Sequence, residues 1–151
     1  MTKQYDVLIV GGGMVGATVA CALGNSSLNV ALIEQTPPQE FSPEQAHDMR
    51  VSALSIASQK ILETIGAWNA IINMRNCPFK RMRVWETAGD TEFNSTSIDY
   101  DELGYIVENR VTQLALLERV KDFSNVTLLC PSKIKNLQYQ AGNCTVELED
   151  G

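Results

Sequence analysis

The residues of this chain best suited to chemistry are three glycines and one acid near its amino terminus. Gly11, Gly13 and Gly16 have the G-x-G-x-x-G spacing, and Glu34 stands 18 positions after Gly16. In such a pattern the first glycine turns the chain out of a strand, the second lets a pyrophosphate approach the backbone, and the third lets a helix lie close to the sheet. The acid accepts hydrogen bonds from a ribose and disfavours a 2′-phosphate. These residues therefore predict a site for FAD or NAD rather than NADP.

Strand and helix patterns that would position these residues flank the glycines. The apolar runs Val7–Val10 and Val30–Ile33 are typical of buried strands, and helix-like sequence begins near Met14. The unpaired N–H groups and positive dipole at the start of that helix favour an anion. We therefore expect Met14 and Val15 to lie beside the phosphates, and Gln35 to lie beside Glu34 at the strand end. The order of strand, glycine turn, helix, strand and acid predicts a dinucleotide-binding βαβ unit.

A secretory signal or a lipid-attachment site is the main rival interpretation of this amino terminus. Lys3, an apolar stretch and Cys21 between two alanines resemble such a segment. Against it, Asp6 stands at the head of the apolar run and four glycines interrupt the region that would have to be hydrophobic. The βαβ pattern also continues past Ala22 without a break. The dinucleotide interpretation is therefore favoured.

Composition and charge narrow the function classes further. The 151 residues are 44% apolar and 20% charged, as in an ordinary globular domain, and the net charge of −6 argues against nucleic acid as a partner. No apolar run approaches the roughly 18 residues that a transmembrane helix needs. Four scattered cysteines without a C-x-x-C pair predict reduced thiols and a cytoplasmic location. The single histidine, His47, has no neighbouring ligand, so we predict no metal site and no catalytic triad.

The rest of the chain alternates between helix and strand patterns, which predicts an α/β fold. Residues 35–49, with three prolines and several acids, predict an irregular, mobile connection. Gly66 is placed to end one helix, and Asn109 is placed to cap another. Predicted helices cover residues 54–65, 68–74 and 110–123. Predicted strands cover residues 82–85, 91–94, 104–107, 126–129, 134–139 and 145–148, with turns at 88–90 and 142–143.

Five segments together resemble a known family of enzymes. They are Gly11-Gly-Gly-Met-Val-Gly16, Arg50-Val-Ser-Ala-Leu54, Gly66-Ala-Trp68, Met82-Arg-Val-Trp-Glu86 and Gly104-Tyr-Ile-Val-Glu-Asn109. In this order and at this spacing they resemble the ubiquinone-biosynthesis flavin hydroxylases. That family is a branch of the class A flavoprotein monooxygenases related to para-hydroxybenzoate hydroxylase. The resemblance covers essentially the whole chain.

The resemblance implies a fold and a reaction. It implies a Rossmann-like FAD-binding domain in three layers, with a parallel sheet and a small antiparallel β element. Such enzymes take a hydride from NADH or NADPH and form a flavin C4a-hydroperoxide, which hydroxylates the ring of a polyprenyl phenol or benzoquinol. It also implies a role for each matching residue: pyrophosphate binding by Gly11, Gly13 and Gly16, ribose binding by Glu34, a ribose–phosphate contact by Arg50 and a ribityl contact by Asn109 or Arg110.

The chain departs from the family by ending soon after Leu148, where relatives continue into a Gly-Ala-Asp-Gly motif. We therefore expect residues 1–151 to be the amino-terminal part of an FAD-binding domain, truncated before the substrate domain and the later flavin motifs, and inactive alone. The resemblance also suggests a biosynthetic complex as partner and a location in the cytoplasm or at the periphery of the inner membrane. Two alternatives stay open, namely another FAD-dependent oxidoreductase and a non-catalytic dinucleotide-binding module. Two of the residues also have a purely structural interpretation. Arg50 could be an ordinary loop arginine, and Asn109 could serve only as a helix cap.

Overall fold

The computed structural model describes residues 2–149, and the chain divides into two compact units. The first unit contains the residues up to Glu40 and those from Leu116 onward, and the second runs from Phe41 to Ala115. The helices are α1 (Met14–Ala22), α2 (Ile56–Thr64), α3 (Trp68–Met74) and α4 (Asn109–Val120). The strands are β1 (Val7–Val10), β2 (Val30–Ile33), β3 (Val51–Ser55), β4 (Cys77–Phe79), β5 (Arg81–Glu86), β6 (Gly89–Asn94), β7 (Gly104–Glu108), β8 (Val126–Leu129), β9 (Ile134–Gln140) and β10 (Asn143–Leu148).

A parallel three-stranded sheet in the order β1-β2-β8 is the framework of the first unit. Val7 pairs with Val30, and Val30 pairs with Val126, so the three strands end at the same edge. All four residues of β2 are buried, as its uninterrupted Val-Ala-Leu-Ile sequence predicts for a central parallel strand. The α/β fold with a parallel sheet is confirmed.

Helix α1 buries its small residues rather than its valines. Ala17, Ala20 and Cys21 are at most 3% exposed, whereas Val15 is 78% and Val19 is 43% exposed. Small side chains let the helix axis approach its neighbours, and the Cys21 thiol donates a hydrogen bond to the Leu116 carbonyl oxygen at 3.5 Å. The helix predicted to begin near Met14 is confirmed, and its exposed Val15 and Val19 do not form its buried face.

Two antiparallel hairpins lie one in each unit. In the first unit β9 pairs with β10, and the turn between them is Ala141–Gly142, with Gly142 at φ +81°. In the second unit β5 pairs with β6. Its turn is Thr87–Ala88, one residue earlier than the prediction, because Gly89 already pairs with Glu86. Both predicted hairpins are confirmed.

The second unit contains an antiparallel sheet in the order β3-β7-β4. Helix α2 begins where the Ser55 hydroxyl accepts a hydrogen bond from the Ser58 N–H at 3.2 Å. It ends in a Schellman motif at Gly66, with φ +83°, where the Gly66 and Ala67 N–H groups donate to the Glu63 and Leu62 carbonyl oxygens. The predicted role of Gly66 is therefore confirmed.

The last helix differs from its prediction at both ends. We expected residues 110–123 with Asn109 as cap, but Asn109 is already the first helical residue and the helix ends at Val120. Its buried positions include Val111, Leu116 and Val120, each fully buried. Among residues 2–149, no helix combines the length and apolar character that crossing a bilayer requires.

Candidate dinucleotide-binding site

The glycine turn after β1 is shaped by backbone geometry. Gly11 has φ +98°, a conformation that disfavours any residue with a side chain, and its N–H donates to the Ile33 carbonyl oxygen at 2.8 Å. A Cβ atom at Gly16 would lie 2.0 Å from the Gly11 carbonyl oxygen. No side chain fits at that distance. A Cβ atom there would also lie 3.2 Å from Ile9 Cγ2 in β1, so Gly16 lets α1 lie close to the sheet, as the sequence predicted.

Gly13 is the opposite case, since it faces open space. It precedes α1 with φ −69°, and a Cβ atom built on it would meet no atom within 4 Å. No side chain caps this end of the helix, and its first turn contains no acid. The N–H groups of Met14 and Val15 therefore have no partner within the helix. A helix start of this kind, beside a backbone without side chains, favours binding of a phosphate.

Glu34 is fastened to the glycine turn by its own carboxylate. Its Oε2 atom accepts a hydrogen bond from the Gly12 N–H at 2.7 Å, and its Oε1 atom accepts one from the Thr36 N–H at 2.9 Å. A Cβ atom on Gly12 would lie 2.9 Å from the Glu34 Cβ atom. The middle glycine thus makes room for the acid, a function that the G-x-G-x-x-G spacing alone does not assign. Each carboxylate oxygen retains a second lone pair for a ribose hydroxyl.

These groups meet at the carboxyl edge of the parallel sheet. The Glu34 N–H donates to the Leu129 carbonyl oxygen at 2.9 Å, and the Ser132 N–H donates to the Glu34 carbonyl oxygen at 2.8 Å. Burial and the nearby charge of Glu34 raise the pKa of the Cys130 thiol. Gln35 is exposed next to Glu34. In open α/β sheets this edge is where ligands bind.

The two remaining predicted residues, Arg50 and Asn109, lie in the second unit and contact each other through the backbone. The Asn109 N–H donates to the Arg50 carbonyl oxygen at 3.0 Å. The Asn109 side chain accepts a hydrogen bond from the Ser52 hydroxyl at 2.7 Å. This contact makes Asn109 a link between β3 and α4, rather than the helix cap that we expected. The Arg50 side chain is exposed, and its contact with a ribose–phosphate stays a prediction.

A set of paired charged residues in the second unit was missed by the sequence interpretation, which named only Arg110 among them, for a ribityl contact that stays a prediction. Arg110 donates to both carboxylate oxygens of Asp48, at 2.8 and 3.0 Å, and Arg75 lies 3.4 Å from the buried Glu108 carboxylate. The hydrogen bond from Arg110 lowers the pKa of Asp48, and the same bond raises the pKa of Arg110. These residues are up to 62 positions apart, so no local pattern could indicate them.

Residues 2–149 contain no group of three or more histidine, cysteine, aspartate or glutamate side chains that could hold an ion. His47 is exposed.

Comparison with curated proteins identifies the relatives of this chain. It is 35% identical over 153 aligned residues to 3-demethoxyubiquinol 3-hydroxylase of Escherichia coli strain K12, covering 100% of this chain and 39% of that protein. The chain is a relative of the ubiquinone-biosynthesis hydroxylases. It is also 38% identical over 135 residues to the human mitochondrial ubiquinone biosynthesis monooxygenase COQ6, covering 85% of this chain and 29% of the human protein. The chain thus spans well under half the length of either relative. No family model matches it.

Solved structures show the same fold. Pseudomonas aeruginosa PqsL in complex with 2-aminobenzoylacetate has a TM-score of 0.72 and 23% identity, covering 99% of this chain and 40% of PqsL. The flavin-dependent monooxygenase PieE, in complex with FAD and substrate, has a TM-score of 0.68 and 20% identity, covering 97% of this chain and 27% of PieE. The expected Rossmann-like fold is confirmed by these similarities.

Proposed function

We propose that this relative of the ubiquinone-biosynthesis hydroxylases binds FAD through its glycine turn, the start of α1 and Glu34. The observation that carries the proposal is the carboxylate of Glu34, held 2.7 Å from the Gly12 N–H at the carboxyl edge of the sheet. That contact joins Glu34, which we propose binds the ribose, to the turn that we propose binds the phosphates, and so supports a single site. A diphosphate esterified to an adenosine ribose presents an anion and a pair of hydroxyls, which are the two chemistries that these groups accept.

The residues present fit the adenosine diphosphate part of FAD. Gly13 leaves the backbone open to a pyrophosphate, and the uncapped first turn of α1 offers N–H donors to it. Glu34 keeps lone pairs for the ribose hydroxyls, and its negative charge disfavours a 2′-phosphate. When bound, FAD would supply the hydride-accepting and oxygen-activating chemistry that side chains lack. The chain's own contribution is to bind and orient the cofactor.

The reaction that we propose is hydroxylation of the aromatic ring of a polyprenyl phenol or benzoquinol in ubiquinone biosynthesis, with NAD(P)H and O2 as co-substrates. The names of the Escherichia coli and human relatives support it. Residues 1–151 would be the amino-terminal part of the FAD-binding domain, and the substrate pocket would be formed by residues outside this part. We further propose that the enzyme works in the cytoplasm, at the periphery of the inner membrane, within a ubiquinone-biosynthesis complex.

Titration of the purified chain with FAD, followed by flavin fluorescence, tests the cofactor proposal. We expect saturable binding that Glu34→Gln weakens by about 1–3 kcal/mol, because the variant loses charge-assisted hydrogen bonds to the ribose and to the Gly12 N–H. Glu118→Gln, an exposed acid on α4, is the matched control and should leave the affinity unchanged. Binding that is equally strong in wild type and Glu34→Gln would contradict the assignment of Glu34. Absence of saturable binding would contradict the cofactor proposal for this chain.

A further inference from the structure

Residues 41–50 of the second unit, here called the anchored loop, contain no helix or strand, yet buried charge holds them in place. Glu108, at the end of β7, is 3% exposed. Its Oε1 atom accepts a hydrogen bond from the Asp48 N–H at 2.5 Å, and its Oε2 atom lies 3.4 Å from Arg75 Nη1. A buried carboxylate needs such partners to offset the loss of hydration. Glu108 therefore binds the main chain of the loop two residues before Arg50.

Arg75, which follows α3, fixes the other end of the loop. Its Nη2 atom donates to the Pro43 carbonyl oxygen at 2.9 Å and to the Gln45 carbonyl oxygen at 3.1 Å. Its guanidinium carbon also lies 5.2 Å from the centre of the Phe41 ring. The planar guanidinium presents five N–H donors in a fixed arrangement, so one side chain can contact the loop carbonyls and the Glu108 carboxylate together. Arg75 thus connects the loop to the Glu108 carboxylate.

The start of α4 completes the anchor. Arg110 binds both carboxylate oxygens of Asp48 and donates to Gln45 Oε1 at 3.1 Å. The Asn109 N–H donates to the Arg50 carbonyl oxygen, and Val51 pairs with Glu108 in the sheet. The main chain is therefore held at Asp48, at the Arg50 carbonyl oxygen and at Val51, while the Arg50 side chain is exposed. An exposed cation on a fixed backbone loses less conformational freedom on binding an anion than one on a mobile loop.

We propose that Glu108 is a positioning residue, which holds the anchored loop so that the exposed Arg50 can bind a phosphate group. This inference rests on the proposed function and adds to it a residue that acts through Arg50. A purely structural role for Glu108 is the competing explanation. The two differ in a measurable way, because a residue that acts through Arg50 loses its effect on binding once Arg50 has been removed.

A double-mutant cycle on FAD affinity separates these explanations. We expect Arg50→Gln to raise the Kd for FAD about tenfold, the loss of one charge-assisted hydrogen bond. Glu108→Gln should raise it about threefold to tenfold, since the amide leaves Arg75 without its counter-charge. The double variant should bind about as weakly as Arg50→Gln alone. The proposal would be overturned if the increase in Kd of the double variant were the product of the two single increases, or if Glu108→Gln bound FAD as tightly as the parent.

Trypsin provides a readout that does not depend on the cofactor. The bond between Arg50 and Val51 should be protected, because the Arg50 carbonyl oxygen accepts a hydrogen bond from the Asn109 N–H and Val51 pairs with Glu108 in the sheet. We expect Glu108→Gln to speed cleavage after Arg50 by about tenfold in a chain that is otherwise folded. If Glu108→Gln does not fold, Arg75→Lys serves instead, because it keeps the positive charge while losing the contacts to the loop carbonyls. Unchanged cleavage in the folded variant would overturn the proposal.

The same experiments distinguish this inference from the proposed function. Failure of the wild-type chain to bind FAD would refute the proposed function, and with it this inference. Binding that depends on Glu34 but is the same in Arg50→Gln and Glu108→Gln would leave the proposed function in place and refute the positioning role alone.

Discussion

The two units of this chain hold their predicted binding residues by different physical means. In the first unit the geometry comes from the main chain. The positive φ of Gly11 and the close backbone contact at Gly16 require glycine in the turn, and the Gly12 N–H fixes the Glu34 carboxylate. In the second unit Arg50 is held through charged side chains that lie far away in the sequence, among them Glu108. The difference teaches where sequence patterns are informative. Main-chain requirements leave local signatures, whereas ion pairs between distant residues do not.

The difference also predicts different kinds of sensitivity. A glycine that is required by a backbone contact admits no replacement, because main-chain atoms cannot move independently of the turn. A charged network can adjust to some replacements, since side chains have rotamers and several partners. The first unit should therefore respond sharply to added methyl groups. In the second unit, the loss of a single hydrogen bond should lower the free energy of unfolding by a smaller amount.

Gly16→Ala should have the largest effect of the substitutions considered in this comparison. The added methyl would lie 2.0 Å from the Gly11 carbonyl oxygen and 3.2 Å from Ile9 Cγ2. The turn or the helix would have to move, and we expect the free energy of unfolding to fall by about 3 kcal/mol or more. Urea denaturation followed by circular dichroism measures this change.

Gly13→Ala is the matched control, since it adds the same methyl three residues earlier. There the new atom meets nothing within 4 Å, and the φ of −69° suits alanine. Stability should stay within about 0.5 kcal/mol of the parent, while the Kd for FAD rises about tenfold because the methyl occupies the approach to the backbone. If Gly16→Ala and Gly13→Ala lose the same stability, the close contact at Gly16 is not the reason why the turn needs glycine there.

Much of the first unit could be predicted from the sequence because each of its signals is local. The strands Val7–Val10 and Val30–Ile33 were predicted with the observed bounds from their uninterrupted apolar runs. The predicted burial is confirmed only for Val30–Ile33, since Val7–Ile9 are half-buried and Val10 is exposed. Helix α1 was predicted from the glycine turn and the helix-like sequence that follows it. The contact between Gly12 and Glu34 could not be predicted, because it depends on how two strands align.

The second unit shows where local signals are insufficient. Strands Val51–Ser55 and Cys77–Phe79 were not predicted, because they are short and each depends on pairing with β7. Residues 35–49 were expected to be mobile, as prolines and acids suggest, yet Arg75, Glu108 and Arg110 anchor the part from residue 41 onward. Charges on three separate elements decide this outcome, and only the fold brings them together.

Ser52→Ala tests the smaller loss of stability that we expect when one hydrogen bond of the second unit is removed. The substitution removes the 2.7 Å hydrogen bond from the Ser52 hydroxyl to Asn109 Oδ1, leaving a half-buried amide oxygen without this donor. We expect the free energy of unfolding to fall by about 1 kcal/mol. Ser42→Ala is the control, since that hydroxyl is exposed and donates only to the nearby Glu44. If both variants have the same stability as the parent, the link between β3 and α4 does not depend on this bond.

The smallest expected effect is a change in how stability falls at low pH, and it follows from the ion pair between Asp48 and Arg110. The hydrogen bond from Arg110 lowers the pKa of Asp48 in the folded chain below the value of about 3.9 that an unfolded aspartate has. Above that value the pair contributes its full stability, and the contribution is lost as the pH falls through the lower, folded pKa. Stability measured between pH 7 and pH 2 should therefore fall less steeply below about pH 4 in Asp48→Asn than in the parent.

Arg110→Gln should flatten the same part of the pH profile, because it removes the donor rather than the acceptor. The two variants act on the pair from opposite sides, so agreement between them would assign the acid-sensitive step to this contact. A parent-like profile in both variants would mean that the anchored loop is held without a contribution from this ion pair. Glu108 and Arg75 would then suffice, and the second unit would depend on one buried acid much as the first depends on one glycine turn.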